Sequence, residues 1–392
     1  MLTERMGRLQ ELFDEHAAAV QDQWGAFAGV TAATFHAGEI DEAVTGVADI
    51  RTGAAVTPDT IFQFGSVTKV MTATLLMGLV DEGRLDLQAP VKSIVPNLEL
   101  PDSAAAERIT VWNLITHTSG LDMGIDAPQQ GSWPRVDLGD GDDCIDAYLA
   151  YMADKPTVFA PGETRRYSNA GFVVAGRVAE NILGQSWDAA VRERIFEPVG
   201  MSHTVTLPAD AIQQLHVVGH VQGPDGDLAL SGRWWLGRSS GPAGGGAAGT
   251  ARDLARFSEV HLRGGVAGNG ARVLSPESTR AMQEVQFDAS AEGGTEKQGL
   301  GWILDDHDGA KVLRHSGGNF GGRASYWALP EHDFSLAVMS NTISLAPAAL
   351  AVNVYRQLVS ELFGIDAPDP LAAFGKAEAE AFAARLREAV TS

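Results

Sequence analysis

The stretch FGSVTK at residues 64–69, which runs into the apolar segment VMTATLLMGLV at residues 70–80, is the most informative feature of this sequence. It places Ser66 three residues before Lys69 at the start of a long predicted helix. Because side chains at positions i and i+3 share one helix face, the Lys69 amine can reach the Ser66 hydroxyl. The stretch therefore predicts a nucleophile beside a candidate base.

The apolar residues that follow Lys69 favour a helix buried on all sides. Burial disfavours the charged form of a lysine, and only the neutral amine can accept the serine proton. Ser66 is also expected at the helix N-terminus, where unpaired backbone N–H groups favour a developing oxyanion. A serine cap followed by a lysine explains the same spacing without catalysis, and S-x-x-K alone is common by chance.

Composition restricts the partners of the chain. Its 29 Lys and Arg residues stand against 50 Asp and Glu residues, and the formal net charge of −21 repels nucleic acid and anionic membrane surfaces. Residues 1–20 lack the features of a signal peptide, and no window approaches the roughly eighteen apolar residues of a membrane span. Cys144 is the single cysteine, so no disulfide forms within the chain. We expect a cytoplasmic protein that binds neither nucleic acid nor membrane.

Strand patterns lie at both ends of the chain, with helical patterns between them. The strand-like segments are 29–36 and 42–48, which form a hairpin, and 299–304, 311–315, 324–329 and 334–341, followed by a closing helix at 348–363. We expect residues 1–80 and 245–392 to form one α/β domain and residues 81–244 a mostly helical domain, with the active site between them.

Two further segments, at residues 241–249 and 376–390, lie outside these elements. The glycine-rich stretch 241–249 lacks the Gly-Lys-Ser/Thr of a phosphate-binding loop and is expected to be a tight turn before a helix capped by Thr250. Residues 376–390 predict a last helix, either a packing arm or a subunit contact. Self-association of the chain is left open.

Two further motifs join the first. Tyr167-Ser168-Asn169 opens an apolar helix, and HSGG at residues 315–318 ends a predicted strand. With these motifs in this order, the chain resembles the serine β-lactamase and penicillin-recognising family, in particular its class C β-lactamase, D-Ala-D-Ala carboxypeptidase and family VIII carboxylesterase branch. The resemblance spans residues 28–363 and includes the phrases LITHTSGL at residues 114–121 and GLGW at residues 299–302.

The resemblance implies a fold and a set of roles. The fold is the β-lactamase/transpeptidase-like one, an antiparallel sheet flanked by helices plus a mostly helical domain. Ser66 would be the acylated nucleophile, Lys69 its base partner and Tyr167 a proton relay, while Asn169 would bind substrate or Lys69. The family's oxyanion hole implies the backbone N–H groups of Ser66 and Gly318, and glycine there allows close approach to substrate.

The third motif departs from the family, because its first residue is His315 where β-lactamases and peptidases have lysine. A histidine is largely neutral near pH 7 and attracts a substrate carboxylate less strongly, which favours uncharged esters. Arg314 and Arg323 flank the motif and either supply the missing charge or lie solvated at the surface. Other expected substrate contacts are Ser316, Gly317, Trp235 and Phe320, and a wider set of aromatic residues considered for the acyl pocket adds Trp133 and Trp234.

The predicted function is that of a serine esterase acting on a small-molecule acyl substrate through an acyl-enzyme. Three alternatives remain: an acyltransferase with the same intermediate, a β-lactamase or D-amino-acid-specific peptidase, and a catalytically silent scaffold. Neither a metal nor another cofactor is expected, because His216 and His220 lie in a strand-like pattern without the glutamate of a metalloprotease motif. The acyl group, the leaving group and the first proton acceptor, Lys69 or Tyr167, are left open.

Overall fold

The structure is a computed structural model that describes residues 7–121, 138–223, 226–232, 234–289 and 296–372. Its strands are β1 (Gly29–His36), β2 (Glu39–Asp49), β3 (Ala54–Ala55), β4 (Phe62–Gln63), β5 (His220–Gln222), β6 (Leu228–Leu230), β7 (Ala248–Gly249), β8 (Phe287–Asp288), β9 (Lys297–Gln298), β10 (Ile303–His307), β11 (Ala310–Asn319), β12 (Gly322–Leu329), β13 (Phe334–Ser340) and β14 (Thr342–Ile343).

The helices of the described residues fall between and around these strands. They are α1 (Arg8–Trp24), α2 (Thr68–Asp81), α3 (Val91–Ile94), α4 (Ser103–Arg108), α5 (Val111–Ile115), α6 (Cys144–Met152), α7 (Asn169–Leu183), α8 (Trp187–Val191), α9 (Glu197–Val199), α10 (Pro208–Ala211), α11 (Ala251–Leu262), α12 (Pro276–Met282) and α13 (Ala346–Phe363).

The two ends of the chain meet in one sheet, whose strand order within the described residues is β3-β2-β1-β13-β12-β11-β10-β9-β8. β1 pairs antiparallel with β2 and with β13, so that Ala33 lies opposite both Glu42 and Ala337. The predicted α/β fold with an antiparallel sheet flanked by helices is confirmed. The boundaries proposed for the two domains stay a prediction.

Helices cover both faces of the sheet. On one face, α1 and α13 bury side chains such as Phe13 and Leu350 against Leu336 of β13. On the other face, α2 and α11 contribute Val70 and Phe257 to a larger core. Because helices cover both faces, β1 is buried at nearly every position instead of alternating between buried and exposed.

The structure confirms some predicted boundaries and corrects one. The glycine-rich stretch leads into α11, whose N-cap Thr250 accepts a hydrogen bond from the Asp253 N–H through its side chain. The predicted strand 299–304 is wrong in its first four residues, because the strand begins at Ile303. Gly301 adopts a left-handed φ of 81°, and a Cβ on it would lie 2.6 Å from the Ala73 Cβ of α2, so this segment turns against the helix.

Several predictions fall on residues outside the described ranges. These are Trp133 and the last helix at 376–390. No helix within the described ranges combines the length and apolar character needed to cross a membrane. The cytoplasmic location stays a prediction.

Candidate active site

Ser66 and Lys69 meet in the turn that opens the buried helix α2. Ser66 lies in the 3-10 turn Gly65–Val67, which leads directly into α2. The Lys69 Nζ atom lies 3.1 Å from the Ser66 Oγ atom. Lys69 is fully buried, whereas Ser66 is partly exposed. A shielded amine thus faces a hydroxyl that a substrate can reach.

Two more oxygen atoms surround the Lys69 amine. Asn169 Oδ1, at the first residue of α7, accepts from Nζ at 2.5 Å, and the Ala243 carbonyl oxygen also accepts from it. With Ser66 Oγ these acceptors match the three N–H bonds of an ammonium. They also suit a neutral amine, which would donate to Asn169 and Ala243 and accept the Ser66 hydroxyl proton. The same frame therefore holds Lys69 before and after a proton transfer.

Tyr167 lies beside this amine, immediately before α7. The Lys69 Nζ atom is 4.7 Å from the centre of the Tyr167 ring. The next residue, Ser168, caps α7 by accepting the Gly171 N–H with its side chain. The cap fixes the residue at which the helix begins. Tyr167 therefore comes directly before the capping residue and Asn169 directly after it.

Glycines let β11 approach the nucleophile turn closely. A Cβ on Gly65 would lie 2.6 Å from the Gly318 nitrogen, and one on Gly317 would lie 2.1 Å from the Phe64 carbonyl oxygen. A Cβ on Gly244 would lie 2.8 Å from the Ser66 Cα. Backbone from two other segments thus packs directly on the turn that carries the serine.

One edge of β11 is open beside this turn. β10 pairs with β11 from His307 opposite Ala310 to Ile303 opposite Arg314 and reaches no further along it. Within the described residues, no strand pairs with positions 315–319 on that edge. The open edge lies next to Ser66 and can accept an extended ligand.

His315 is buried and neutral. Its Nδ1 atom donates to the Ser316 carbonyl oxygen at 2.7 Å, which leaves Nε2 unprotonated. In the described part of the chain, Nε2 is buried without a hydrogen-bond partner. Burial lowers the pKa of His315 to about 3, and the positive charge of Lys69 acts in the same direction. Ser316 is exposed.

The two arginines flanking the third motif lie in different surroundings. Arg314 pairs with the carboxylates of Asp305 and Glu296. Arg323 is partly buried, and its Nη1 atom donates to the Ser344 carbonyl oxygen at 3.4 Å. The sequence analysis missed Arg165, whose side chain is 7% exposed and lies 2.6 Å from Glu296. Nothing in its sequence position distinguishes Arg165 from Arg166.

The segment that carries the aromatic residues predicted to line a pocket is connected to the site by hydrogen bonds of the Gln63 side chain. The Gln63 amide donates to the Trp234 carbonyl oxygen and accepts from the Asn319 side chain, which connects this segment to the end of β11. Trp235 packs edge-on against Trp234 with ring centres 5.2 Å apart, and Phe320 is buried. Their contact with substrate stays a prediction.

Sequence reasoning missed three other neighbours of the catalytic candidates. The Ala243 carbonyl contacts Lys69, and the Phe172 ring lies 5.7 Å from the Lys69 Nζ. His117 packs against Tyr167 with ring centres 4.4 Å apart. His117 belongs to the phrase at residues 114–121, which marked the resemblance but gave no role to this side chain.

Comparison with known proteins agrees with this architecture. Penicillin-binding protein 4 of Amycolatopsis lactamdurans is 34% identical over 351 residues, 88% of each chain. Esterase EstB of Burkholderia gladioli is 35% identical over 161 residues, 40% of this chain and 41% of its own. The structure of the octameric penicillin-binding protein homologue from Pyrococcus abyssi superposes with a TM-score of 0.75 at 25% identity, covering 90% of this chain and 77% of that one.

A model of the Beta-lactamase family matches residues 16–360, which include the three motifs and nearly the whole described sheet. The members of this family are serine hydrolases, among them esterases, β-lactamases and peptidases. The resemblance stated from the motifs is confirmed, and this chain belongs to the Beta-lactamase family.

Proposed function

We propose that this protein hydrolyses carboxylic esters through an acyl-enzyme formed on Ser66. The observation that carries the proposal is the 3.1 Å contact between Lys69 Nζ and Ser66 Oγ, with the amine fully buried and the hydroxyl within reach of solvent. A nucleophile within hydrogen-bond distance of a base that other groups orient is the arrangement that covalent catalysis requires.

The proposed reaction has two halves. Ser66 Oγ attacks the ester carbonyl carbon while its proton passes to Lys69, and the C–O bond to the alcohol then breaks as Tyr167 gives a proton to the leaving oxygen. Lys69 then returns a proton to Tyr167, so that both groups are neutral again. In the second half water attacks the acyl carbon and loses a proton to this pair, which passes a proton to Ser66 Oγ as the bond between the acyl carbon and Oγ breaks and the acid leaves. Lys69 suits the first transfer, because Asn169 and Ala243 accept hydrogen bonds from it in either protonation state.

The developing oxyanion needs donors that already point at it. We assign these to the backbone N–H groups of Ser66 and Gly318. The close packing of β11 on the nucleophile turn supports the assignment, since a Cβ on Gly65 would almost touch the Gly318 nitrogen. Removing one such donor typically costs about 10²–10³-fold in kcat, so this packing has direct consequences for rate.

The neutral His315 favours an ester over a substrate with a free carboxylate. Its pKa near 3 leaves no positive charge on this side chain at neutral pH. Arg314, the nearest basic residue along the chain, is occupied by two carboxylates. The esterase among the relatives supports the same substrate class.

A second candidate function follows from the open edge of β11. An extended, peptide-like amide can pair with positions 315–319 as an added strand and present its carbonyl carbon to Ser66. The penicillin-binding protein relative supports this alternative. An acceptor other than water would make the same site an acyltransferase.

The test compares p-nitrophenyl butyrate hydrolysis by the wild type, by Ser66→Ala and by Ser103→Ala, which changes an exposed serine of α4. We expect activity in the wild type and in Ser103→Ala, at least about 10³-fold less in Ser66→Ala, and a butyryl adduct on Ser66 by mass spectrometry. Equal rates in wild type and Ser66→Ala would show that Ser66 is not the nucleophile. No turnover and no adduct with any activated ester would favour the silent scaffold.

Two further measurements separate the alternatives. A chromogenic cephalosporin turned over faster than the ester would favour a β-lactamase. Added alcohol or amine that diverts the acyl group, while the rate of p-nitrophenol release stays the same, would favour a transferase.

A further inference from the structure

His117 occupies an unusual place beside the proposed proton relay. It lies just after α5, is 1% exposed and has a φ of 61°, in the left-handed region that residues other than glycine seldom adopt. Such a conformation costs about 1 kcal/mol or more and persists where surrounding contacts enforce it. His117 makes several contacts with the segment around Tyr167.

Two hydrogen bonds connect His117 to the residues on either side of Tyr167. Its carbonyl oxygen accepts from the Arg166 N–H at 3.0 Å, and its Nδ1 atom accepts from the Ser168 N–H at 3.1 Å. Backbone and side chain of one residue thus hold the two N–H groups that flank Tyr167. Because Nδ1 is an acceptor in this bond, the imidazole proton resides on Nε2.

The imidazole also packs against the phenol ring. The His117 and Tyr167 ring centres are 4.4 Å apart with an angle of 33° between the planes, and Phe172 lies 5.1 Å away on the same imidazole. The Lys69 Nζ atom contacts the Tyr167 and Phe172 rings as well. The phenol therefore lies in contact with both the amine and His117.

From this geometry we propose that His117 is a positioning residue that holds Tyr167 in register with Ser66 and Lys69. The inference rests on the proposed function, because a proton relay needs its hydroxyl placed to within a fraction of an ångström. A misplacement of about 1 Å at a reacting group can cost roughly 10²-fold in rate.

We call the two hydrogen bonds that His117 accepts from the Arg166 and Ser168 N–H groups the clamp. The side-chain bond of this clamp forms only while the imidazole is neutral. A protonated His117 would present an N–H to the Ser168 N–H, so the side-chain bond would be lost. Burial, followed by the positive charges of Arg165 and Lys69, holds the pKa of His117 well below its ordinary value, and the electrostatic effect of His315 acts in the same direction. Tyr167, whose ring packs against the imidazole at 4.4 Å between ring centres, is a further titratable group that faces His117.

Two substitutions separate the hydrogen bond from ring packing. His117→Asn places an amide oxygen where Nδ1 lies, and asparagine tolerates the left-handed conformation. His117→Leu keeps an apolar side chain but removes the acceptor. We expect His117→Asn to keep kcat within about 3-fold of the wild type and His117→Leu to lose about 10–100-fold in kcat with little change in KM.

Two readouts exclude a purely structural role. The loss in His117→Leu should vanish to within about 3-fold in a Tyr167→Phe background, because the clamp acts through the phenol hydroxyl. The loss in kcat caused by His117→Leu should also be larger for ethyl butyrate than for p-nitrophenyl butyrate. The ethoxide leaving group needs a proton, whereas the p-nitrophenolate leaves without one. Thermal melting of every variant reports folding separately.

The outcomes distinguish this inference from the proposed function. Wild-type activity that does not depend on Ser66 would remove the proposed function. Ser66-dependent activity with an equal loss from His117→Leu in both backgrounds would overturn the positioning role alone. If His117→Leu does not fold, a folded His117→Asn variant that loses more than about 10-fold in kcat would overturn the hydrogen-bond account.

Discussion

Replacing Gly317 by alanine tests whether the approach of β11 to the nucleophile turn sets the rate. The added Cβ would lie 2.1 Å from the Phe64 carbonyl oxygen, 3.0 Å from its carbon and 3.2 Å from the Gly65 Cα. Restoring an ordinary contact of 3.4 Å requires the two backbones to separate by about 1.3 Å. Both partners are backbone, so no side chain can move aside to absorb the change.

The separation would fall between the two proposed oxyanion donors. Gly318 follows Gly317 on β11, and Ser66 follows Gly65 on the turn, so moving the strand moves one N–H away from the other. We expect kcat for p-nitrophenyl butyrate to fall about 10²-fold, comparable with the loss of one oxyanion-hole donor. Overpacking of this kind should also lower the free energy of unfolding by about 1–3 kcal/mol.

The control is Gly78→Ala in α2, the helix that carries Lys69. Its Cβ would lie 3.8 Å from the Val273 carbonyl oxygen, an ordinary contact, and alanine in place of glycine should stabilise the helix by about 0.5–1 kcal/mol. We expect its kcat to match the wild type. If Gly317→Ala also kept kcat within about 3-fold, the contact between β11 and the turn would not set the rate, and the reasoning would fail.

Three other perturbations follow from the same geometry. Asn169→Ala removes an acceptor from Lys69 and should lower kcat about 10–100-fold, the worth of a charged hydrogen bond; a change below 2-fold would contradict this. His315→Lys should raise kcat/KM for a carboxylate-bearing β-lactam about 10-fold relative to an uncharged ester, since one charge-assisted bond is worth about 1.4 kcal/mol; an unchanged ratio would refute it. His261→Leu should reduce the amount by which the free energy of unfolding falls as the pH is lowered. Burial holds the pKa of His261 near 3 in the folded chain, so the unfolded chain binds more protons below pH 6.5 and the free energy of unfolding falls as pH decreases towards 3. Urea melts at pH 5, 6 and 7 should show a slope about 1.4 kcal/mol per pH unit shallower than the wild type at its acid end, and equal slopes would count against it.

The parts of the site that the sequence predicts are those fixed by local geometry. Ser66 and Lys69 come together because a helical turn repeats every three to four residues, whatever the rest of the chain does. The cap at Thr250 is equally local, and so is the hairpin of β1 and β2, whose adjacent strands are joined by a turn at Gly38. Each of these needs only neighbouring residues to be in their preferred conformations.

The parts that could not be predicted depend on long-range packing. The Ala243 carbonyl that accepts from Lys69 lies 174 residues further along the chain, and any residue presents such a carbonyl. The strand predicted at residues 299–304 begins late, because Gly301 turns to pack on α2. The left-handed φ of His117 is imposed by partners on a different segment, so its residue type gives no warning of it.

The absence of charge on His117 and His315 changes what Lys69 does in the proposed reaction. Both histidines pack near Tyr167, and burial keeps both neutral at physiological pH. The Lys69 Nζ atom lies 4.7 Å from the centre of the Tyr167 ring. Protonation of Lys69 therefore brings a positive charge into contact with the phenol. When Lys69 takes the Ser66 proton, it also favours release of the Tyr167 proton to the leaving group, which couples the two transfers. A fixed lysine at position 315 would supply that charge throughout and weaken the coupling.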